Sequence, residues 1–118
     1  MSRDVTIYHN PRCSKSRETL NLLTERGIEP EVVLYLETPP DAATIKTLMQ
    51  QLGFSHPREL MRTKEELYKT LNLGDASLDD AALIKAMVEN PKLIERPIVV
   101  SHGKARLGRP PEQVLEIL

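Results

Sequence analysis

The sequence predicts an α/β fold in which helices pack on one mixed β-sheet. Three observations lead to this prediction: the chain opens with a β-α-β pattern, continues with a long stretch that is helical throughout, and closes with a β-β-α pattern. At 118 residues the chain has the length of one compact domain. We therefore expect a single domain, residues 1–118, with a helical insertion at about 41–90.

The opening elements follow from local patterns. The run "VTIY" at 5–8 is β-branched and aromatic and is closed by Asn10 and Pro11, which indicates a strand. A helix is expected from about Ser14 to Gly27 because its leucines fall on one side. The run "EVVLYL" at 31–36 predicts the second strand, and "TPPDAATIKTLMQQLG" predicts a second helix that ends at Gly53.

The remaining elements are assigned in the same way. The insertion is expected to break at "SHPR" and "NLGDAS" and to contain a further helix near 79–89. Strands are predicted at 98–101 and 105–107, with a turn at His102 and Gly103 between them. A last helix should begin at Pro110 or Pro111, since proline is favoured in a first helical turn.

Composition excludes several classes of function. The net charge of -1 and the pI near 6.3 lack the basic excess that nucleic-acid binding requires. Apolar runs are short, and the first residues, "MSRDVTIYHN", lack the apolar core of a secretory signal. We therefore expect a soluble cytoplasmic protein that binds neither nucleic acid nor a membrane. With no long exposed apolar stripe, we also expect a monomer.

The single cysteine, Cys13, is placed where the first strand should pass into the first helix. Unpaired N–H groups at a helix N-terminus, with Lys15 and Arg17 nearby, would favour the thiolate and lower the pKa of Cys13. The alternative is a buried thiol that serves only as a small apolar side chain. A reactive thiol here would have to be resolved by another molecule, because the chain has no second cysteine.

The same helix start could bind an oxyanion through its backbone N–H groups. Arg62, Arg96 and Arg109 could add paired hydrogen bonds to such an anion, although a single arginine is more often a solvated surface residue. Arg96 and Arg109 are the better candidates, because each lies beside a proline at the end of a predicted element. A tyrosine-phosphatase type of loop is not supported, because it would need an arginine where Thr19 stands.

His9 precedes the cysteine loop, and it could orient the loop or be an ordinary histidine at a strand end. No histidine and cysteine have metal-ligand spacing, so we expect no metal site and no bound cofactor. Pro97 opens the third predicted strand and could follow a cis peptide bond.

Five segments together resemble one enzyme family. In chain order they are "IYHNPRCSKSRETLNLL", "YLETPP", "ELMRTKEELYKTL", "NPKLIERPIVV" and "RLGRPPEQVLEIL". They are similar to the glutathione- and glutaredoxin-dependent arsenate reductases, in particular their short arsenate reductase-like subgroup, along essentially the whole chain. The best-known members read Cys-Gly-Thr-Ser-Arg, where this chain has Cys13-Ser14-Lys15-Ser16-Arg17.

The resemblance implies a thioredoxin-like fold with a four-stranded mixed sheet, and it implies a mechanism. Cys13 would attack arsenate held by Arg62, Arg96 and Arg109, glutathione would join the resulting adduct, and glutaredoxin would complete the reduction to arsenite. The resemblance also implies that Ser16 tunes the thiolate, matches His9 to the histidine of the family motif, and favours a cis bond before Pro97.

Two other functions are compatible with the same fold. One is a glutathione-dependent thiol oxidoreductase that acts on another substrate, with the arginines holding glutathione carboxylates. The other is a redox or transcription regulator without enzymatic activity. Such regulators often carry Cys-x-x-Cys, whereas the second position here is Ser16.

Overall fold

The structure is a computed structural model that describes residues 5–118. The chain divides into two compact units. The first contains the described residues up to Thr38 together with Arg96–Leu118, and the second is Pro39–Glu95. The predicted insertion at about 41–90 lies inside the second unit.

The first unit is built on a four-stranded sheet in the order β2-β1-β3-β4. Its strands are β1 (Val5–Tyr8), β2 (Glu31–Val33), β3 (Ile98–Ser101) and β4 (Lys104–Leu107). β1 pairs with β2 in parallel, while the β1–β3 and β3–β4 pairs are antiparallel. The α/β fold with a four-stranded mixed sheet is therefore confirmed.

Helix α1 (Ser14–Glu25) connects β1 to β2, and a 3-10 helix (Pro111–Ile117) follows β4. Both pack against the sheet, since apolar side chains from each join the strand residues in one buried cluster. That cluster consists of Val5, Ile7, Leu23, Val99, Val114 and Ile117. Both ends of the described chain thus contribute to the core of this unit.

Two elements differ from the sequence prediction. β2 ends at Val33, three residues early, because the Leu34 carbonyl accepts hydrogen bonds from the N–H groups of Glu37 and Thr38 and closes a turn. The last helix is 3-10 rather than α: the Gln113 N–H donates to the Pro110 carbonyl three residues before it. The turn at His102 and Gly103 forms as predicted, with both residues at positive φ, as a two-residue hairpin turn requires.

The second unit is helical. It contains α2 (Ala42–Leu52), α3 (Glu66–Thr70) and α4 (Asp80–Glu89), with short 3-10 helices at Pro57–Leu60 and Pro91–Leu93. Asp41 and Asp79 cap α2 and α4 by accepting a backbone N–H three residues later. Its core contains fully buried apolar side chains, among them Ile45, Leu60, Leu83, Met87 and Leu93.

Across residues 5–118, the helices are too short or too polar to cross a membrane.

Candidate functional site

The register of the sheet brings the candidate residues of the first unit to one edge. Val33, Tyr8, Ile98 and Leu107 are aligned across the four strands. β1, β2 and β4 end at this row, and β3 begins at it. The segments with His9, Cys13, Arg96 and Arg109 therefore meet at the same edge, although they are far apart in sequence.

Cys13 is the N-cap residue of α1, as its place in the sequence predicts. Its backbone is extended, its N–H donates to the Asn10 carbonyl, and its own carbonyl accepts the first helical hydrogen bond, from Arg17. The side chain is only 8% exposed. This places the sulfur where a helix offers unpaired N–H groups.

Opposing effects act on the acidity of this thiol. Burial raises the pKa of Cys13, while the Ser16 N–H, the Arg96 charge, the Lys15 N–H and the Arg109 charge lower it, and the net result is a lowered pKa. The largest of the lowering effects comes from the Ser16 N–H, a backbone group in the first turn of α1. The arrangement favours the thiolate, the nucleophilic form.

The Arg109 side chain reaches the sulfur of Cys13. Its Nε donates to the Arg96 carbonyl at 2.7 Å, which fixes the guanidinium, and its Nη2 lies 3.9 Å from the Cys13 Sγ. Nε and Nη1 of Arg96 are buried. Two guanidinium groups therefore act on one sulfur, an arrangement that suits an anionic nucleophile and an oxyanion alike.

Both arginines precede a proline, Pro97 and Pro110 respectively, and both Arg-Pro peptide bonds are cis. The cis bond before Pro97 agrees with the family resemblance, whereas no sequence pattern indicates the one before Pro110. Pro97 is buried at the start of β3, and its carbonyl accepts the Gly108 N–H at 3.0 Å. This hydrogen bond ties together the two segments that carry the arginines.

His9 and Ser16 form a buried pair beneath the cysteine loop. The His9 Nδ1 and the Ser16 Oγ are 2.7 Å apart, and the same Oγ accepts the Asn10 N–H at 3.0 Å. Burial lowers the pKa of His9, and the Arg17 charge lowers it further, so the imidazole is neutral near pH 7. The pair connects the end of β1 to the first turn of α1 and holds the loop between them.

The side chains of Lys15 and Arg17 are engaged elsewhere. The Lys15 Nζ lies 3.6 Å from a carboxylate oxygen of Glu18, and the Arg17 Nη1 donates to the Pro11 carbonyl at 3.0 Å. The charges that lower the pKa of Cys13 belong to Arg96 and Arg109. Lys15 contributes through its backbone N–H, and Arg17 through its hydrogen bond to the loop.

Gly108 is a site residue that the sequence did not single out. A Cβ at this position would overlap the Thr19 Oγ1 and would lie 2.8 Å from the Pro97 Cγ. Thr19 is fully buried on α1, and its hydroxyl donates to the Lys15 carbonyl. The absence of a side chain at Gly108 thus lets the Arg109 segment approach the helix that begins at Cys13.

Arg62 belongs to the second unit, and its contacts are given within that unit. Its Nη1 lies 3.1 Å from a Glu65 carboxylate oxygen, its Nε lies 3.9 Å from one of Glu95, and its N–H donates to the Leu93 carbonyl. The contribution of Arg62 to the oxyanion site stays a prediction.

Among residues 5–118, no group of three His, Cys, Asp or Glu side chains is arranged to hold a metal ion. The residues brought together in the first unit offer a thiolate beside two guanidinium groups. A nucleophile that attacks an oxyanion held at the same place fits this arrangement.

Comparison with known proteins identifies the class to which this site belongs. Residues 8–117 match the model of the ArsC family, and the chain belongs to that family. It is 54% identical over 114 residues to a Haemophilus influenzae protein named arsenate reductase, covering 97% of this chain and 98% of that one.

More similar proteins are also known. The chain is 72% identical over 118 residues to the uncharacterized protein YfgD of Escherichia coli K12, covering 100% of this chain and 99% of that one. A solved structure titled arsenate reductase from Vibrio cholerae has a TM-score of 0.96 and 67% identity, with 97% of each chain covered. A putative arsenate reductase from Yersinia pestis has a TM-score of 0.94 and 72% identity, covering 96% of this chain and 99% of that one. The thioredoxin-like fold of the ArsC family is thereby confirmed.

Proposed function

We propose that this protein is an arsenate reductase that works through a Cys13–arsenic adduct resolved by glutathione and glutaredoxin. The observation that carries the proposal is the Arg109 guanidinium, which is fixed by the Arg96 carbonyl and lies 3.9 Å from a Cys13 sulfur with a lowered pKa. Relatives named arsenate reductase share about half of the sequence along nearly the whole chain, which supports the same assignment.

The first step needs a nucleophile and an anion site in one place. The Cys13 thiolate attacks the arsenic atom of arsenate, a sulfur–arsenic bond forms, and one oxygen leaves as water after it gains protons. Arg96 and Arg109 hold the remaining oxygens and balance their negative charge. We also assign Arg62 to the anion, as the family resemblance implies.

The later steps need two electrons from outside, because the chain has a single cysteine. Glutathione displaces a second oxygen as water and forms a second sulfur–arsenic bond, with no change in oxidation state. A glutaredoxin thiolate then attacks the glutathione sulfur. A disulfide forms between them, the electron pair of the broken bond reduces As(V) to As(III), and hydrolysis of the Cys13 bond releases arsenite.

A coupled assay tests the proposal. Purified protein is supplied with glutathione, glutaredoxin, glutathione reductase and NADPH, and NADPH loss is followed after arsenate is added. We expect an arsenate-dependent rate in the wild type and none in Cys13→Ser. A wild-type rate no higher than that of Cys13→Ser would contradict the proposal.

Replacing Arg96 or Arg109 with alanine is expected to raise the KM for arsenate and to lower kcat, since we assign both guanidinium groups to the anion and both charges lower the pKa of Cys13. Sulfate and phosphate in place of arsenate are the matched anion controls. Glutathione oxidation that depends on Cys13 but not on arsenate would instead support a glutathione-dependent oxidoreductase acting on another substrate.

A further inference from the structure

A groove lies at the sheet edge next to the cysteine loop. Pro11 and Arg12 from the segment after β1 form one side, and Leu34, Leu36 and Glu37 from the segment after β2 form the other. Its volume is about 370 Å³, which is within the range of small-molecule sites. Because β1 and β2 are parallel, the groove lies beyond the carboxyl ends of two neighbouring strands.

The lining combines apolar walls with one charge of each sign. Leu36 is 37% exposed and, with Pro11, gives the groove an apolar surface. Arg12 and Glu37 are both exposed. Within residues 5–118, neither side chain takes part in an ion pair or a hydrogen bond. Both charges are thus available to a ligand.

The groove also has a fixed relation to the thiol. Arg12 immediately precedes Cys13, and its N–H donates to the Asn10 side chain, which holds the loop in a tight turn. His9 also lines the groove, and its Nδ1 is paired with the Ser16 hydroxyl on α1. A ligand in this groove would therefore lie against a rigid segment that ends at the nucleophile.

We propose that this groove binds glutathione, the co-substrate of the function proposed above. A tripeptide thiol with two carboxylates, one ammonium group and a central sulfur matches the lining: Arg12 pairs with a carboxylate and Glu37 with the ammonium. Leu36 and Pro11 cover the methylene groups. An arsenate ion is a poorer match, because the Glu37 carboxylate would repel it. The inference rests on the proposed function for its choice of ligand.

Binding can be measured without any chemistry. S-methylglutathione has no free thiol, so its affinity reports the groove alone, and it can be titrated into wild type by calorimetry. Arg12→Ala and Glu37→Gln should each weaken binding about fivefold to tenfold, the effect of removing one charge-assisted contact. Arg26→Ala and Glu29→Gln make the same charge changes outside the groove and should bind as wild type does.

Turnover provides an independent measurement. In the arsenate assay, Arg12→Ala and Glu37→Gln should raise the KM for glutathione about fivefold to tenfold and leave the KM for arsenate unchanged. If both variants bind S-methylglutathione and turn over glutathione as wild type does, the groove is not the site.

The two proposals fail in different ways. S-methylglutathione binding that depends on Arg12 and Glu37, without any arsenate turnover, would overturn the proposed function and support the groove. Arsenate turnover with an unchanged KM for glutathione in both variants would support the function and overturn the groove. If the two variants changed only the KM for glutaredoxin, the glutathione proposal for the groove would also be overturned, because the groove would then bind glutaredoxin rather than glutathione.

Discussion

The pKa of Cys13 is lowered both by N–H groups at the start of α1, Ser16 foremost, and by charges that come from the other end of the chain. The sequence places Lys15 and Arg17 beside it, yet the side chains that lower its pKa are Arg96 and Arg109. Local patterns could predict the N-cap position, because turn residues precede it and an amphipathic helix follows. They could not predict which cations reach the sulfur, because that depends on the register of β1, β3 and β4.

The first prediction concerns Arg109 and the acidity of the thiol. Arg109→Ala should raise the pKa of Cys13, since it removes a positive charge 3.9 Å from the sulfur, and Arg109→Lys should raise it less. The measurement is the ultraviolet absorbance of the thiolate as a function of pH. Arg26→Ala is the control, and a titration midpoint that is the same in Arg109→Ala as in wild type would rule the interaction out.

The second prediction concerns His9 and the pH dependence of stability. The folded-state pKa of His9 lies below its unfolded value of about 6.5, so the unfolded chain binds more protons in that window. The stability contributed by neutral His9 is therefore present above about pH 6.5 and is lost as the pH falls toward the folded pKa.

Urea unfolding at a series of pH values tests the role of His9. His9→Asn, whose amide can replace Nδ1 in the contact with Ser16, should flatten the loss of stability on the acid side of pH 6.5. His102→Asn is the matched control, because His102 is exposed at a left-handed turn position that asparagine accepts. Equal slopes for His9→Asn and wild type would contradict the assignment.

Whole elements were easier to predict than their ends. α1, α2, α4, β1 and β3 agree closely with the sequence, because caps, turns and apolar spacing all indicate the same limits. β2 is shorter than its apolar run because the Leu34 carbonyl is taken by a turn. The close contact between Gly108 and α1 left no sequence signal, since a single glycine does not show which distant residue lies against it.

The third prediction concerns that contact. Gly108→Ala should lower the free energy of unfolding by about 1–3 kcal/mol, the usual cost of overpacking, because the new methyl group overlaps Thr19 and crowds Pro97. It should also lower arsenate turnover by displacing Arg109. The measurements are urea unfolding and the coupled assay.

Two further variants isolate the cause. Gly74→Ala is the matched control, since its Cβ would lie 3.6 Å from Tyr68, an ordinary contact distance. Thr19→Ala combined with Gly108→Ala should restore part of the lost stability in a double-mutant cycle. Strict additivity of the two substitutions would show that Thr19 is not the obstacle.

At the scale of the molecule, residues near the end of the chain complete the hydrophobic core of the first unit. Val114 and Ile117 join the buried cluster formed by Val5 and Ile7 of β1 and Leu23 of α1. The 3-10 helix that contains them follows directly on the Arg109 segment. The stability of the sheet and the position of an arginine at the thiol therefore depend on the same contacts.

The fourth prediction concerns Ile117, which packs in this core. Ile117→Ala should lower the free energy of unfolding by about 2–5 kcal/mol, because it leaves a cavity in the core, whereas Ile117→Val should cost about 0.5–1.5 kcal/mol. Chemical denaturation measures both. Equal, small losses for the two variants would mean that the segment packs too loosely to stabilise the unit.

The contact at Gly108 also restricts how such a protein could evolve. A second thiol beside Arg109 would make the chain able to resolve its own adduct, but a cysteine at 108 needs the space that Thr19 occupies. A smaller residue at position 19 would relieve part of the crowding that such a substitution creates. If the proposed mechanism holds, a resolving thiol at position 108 would therefore come at a cost in stability unless position 19 changed as well.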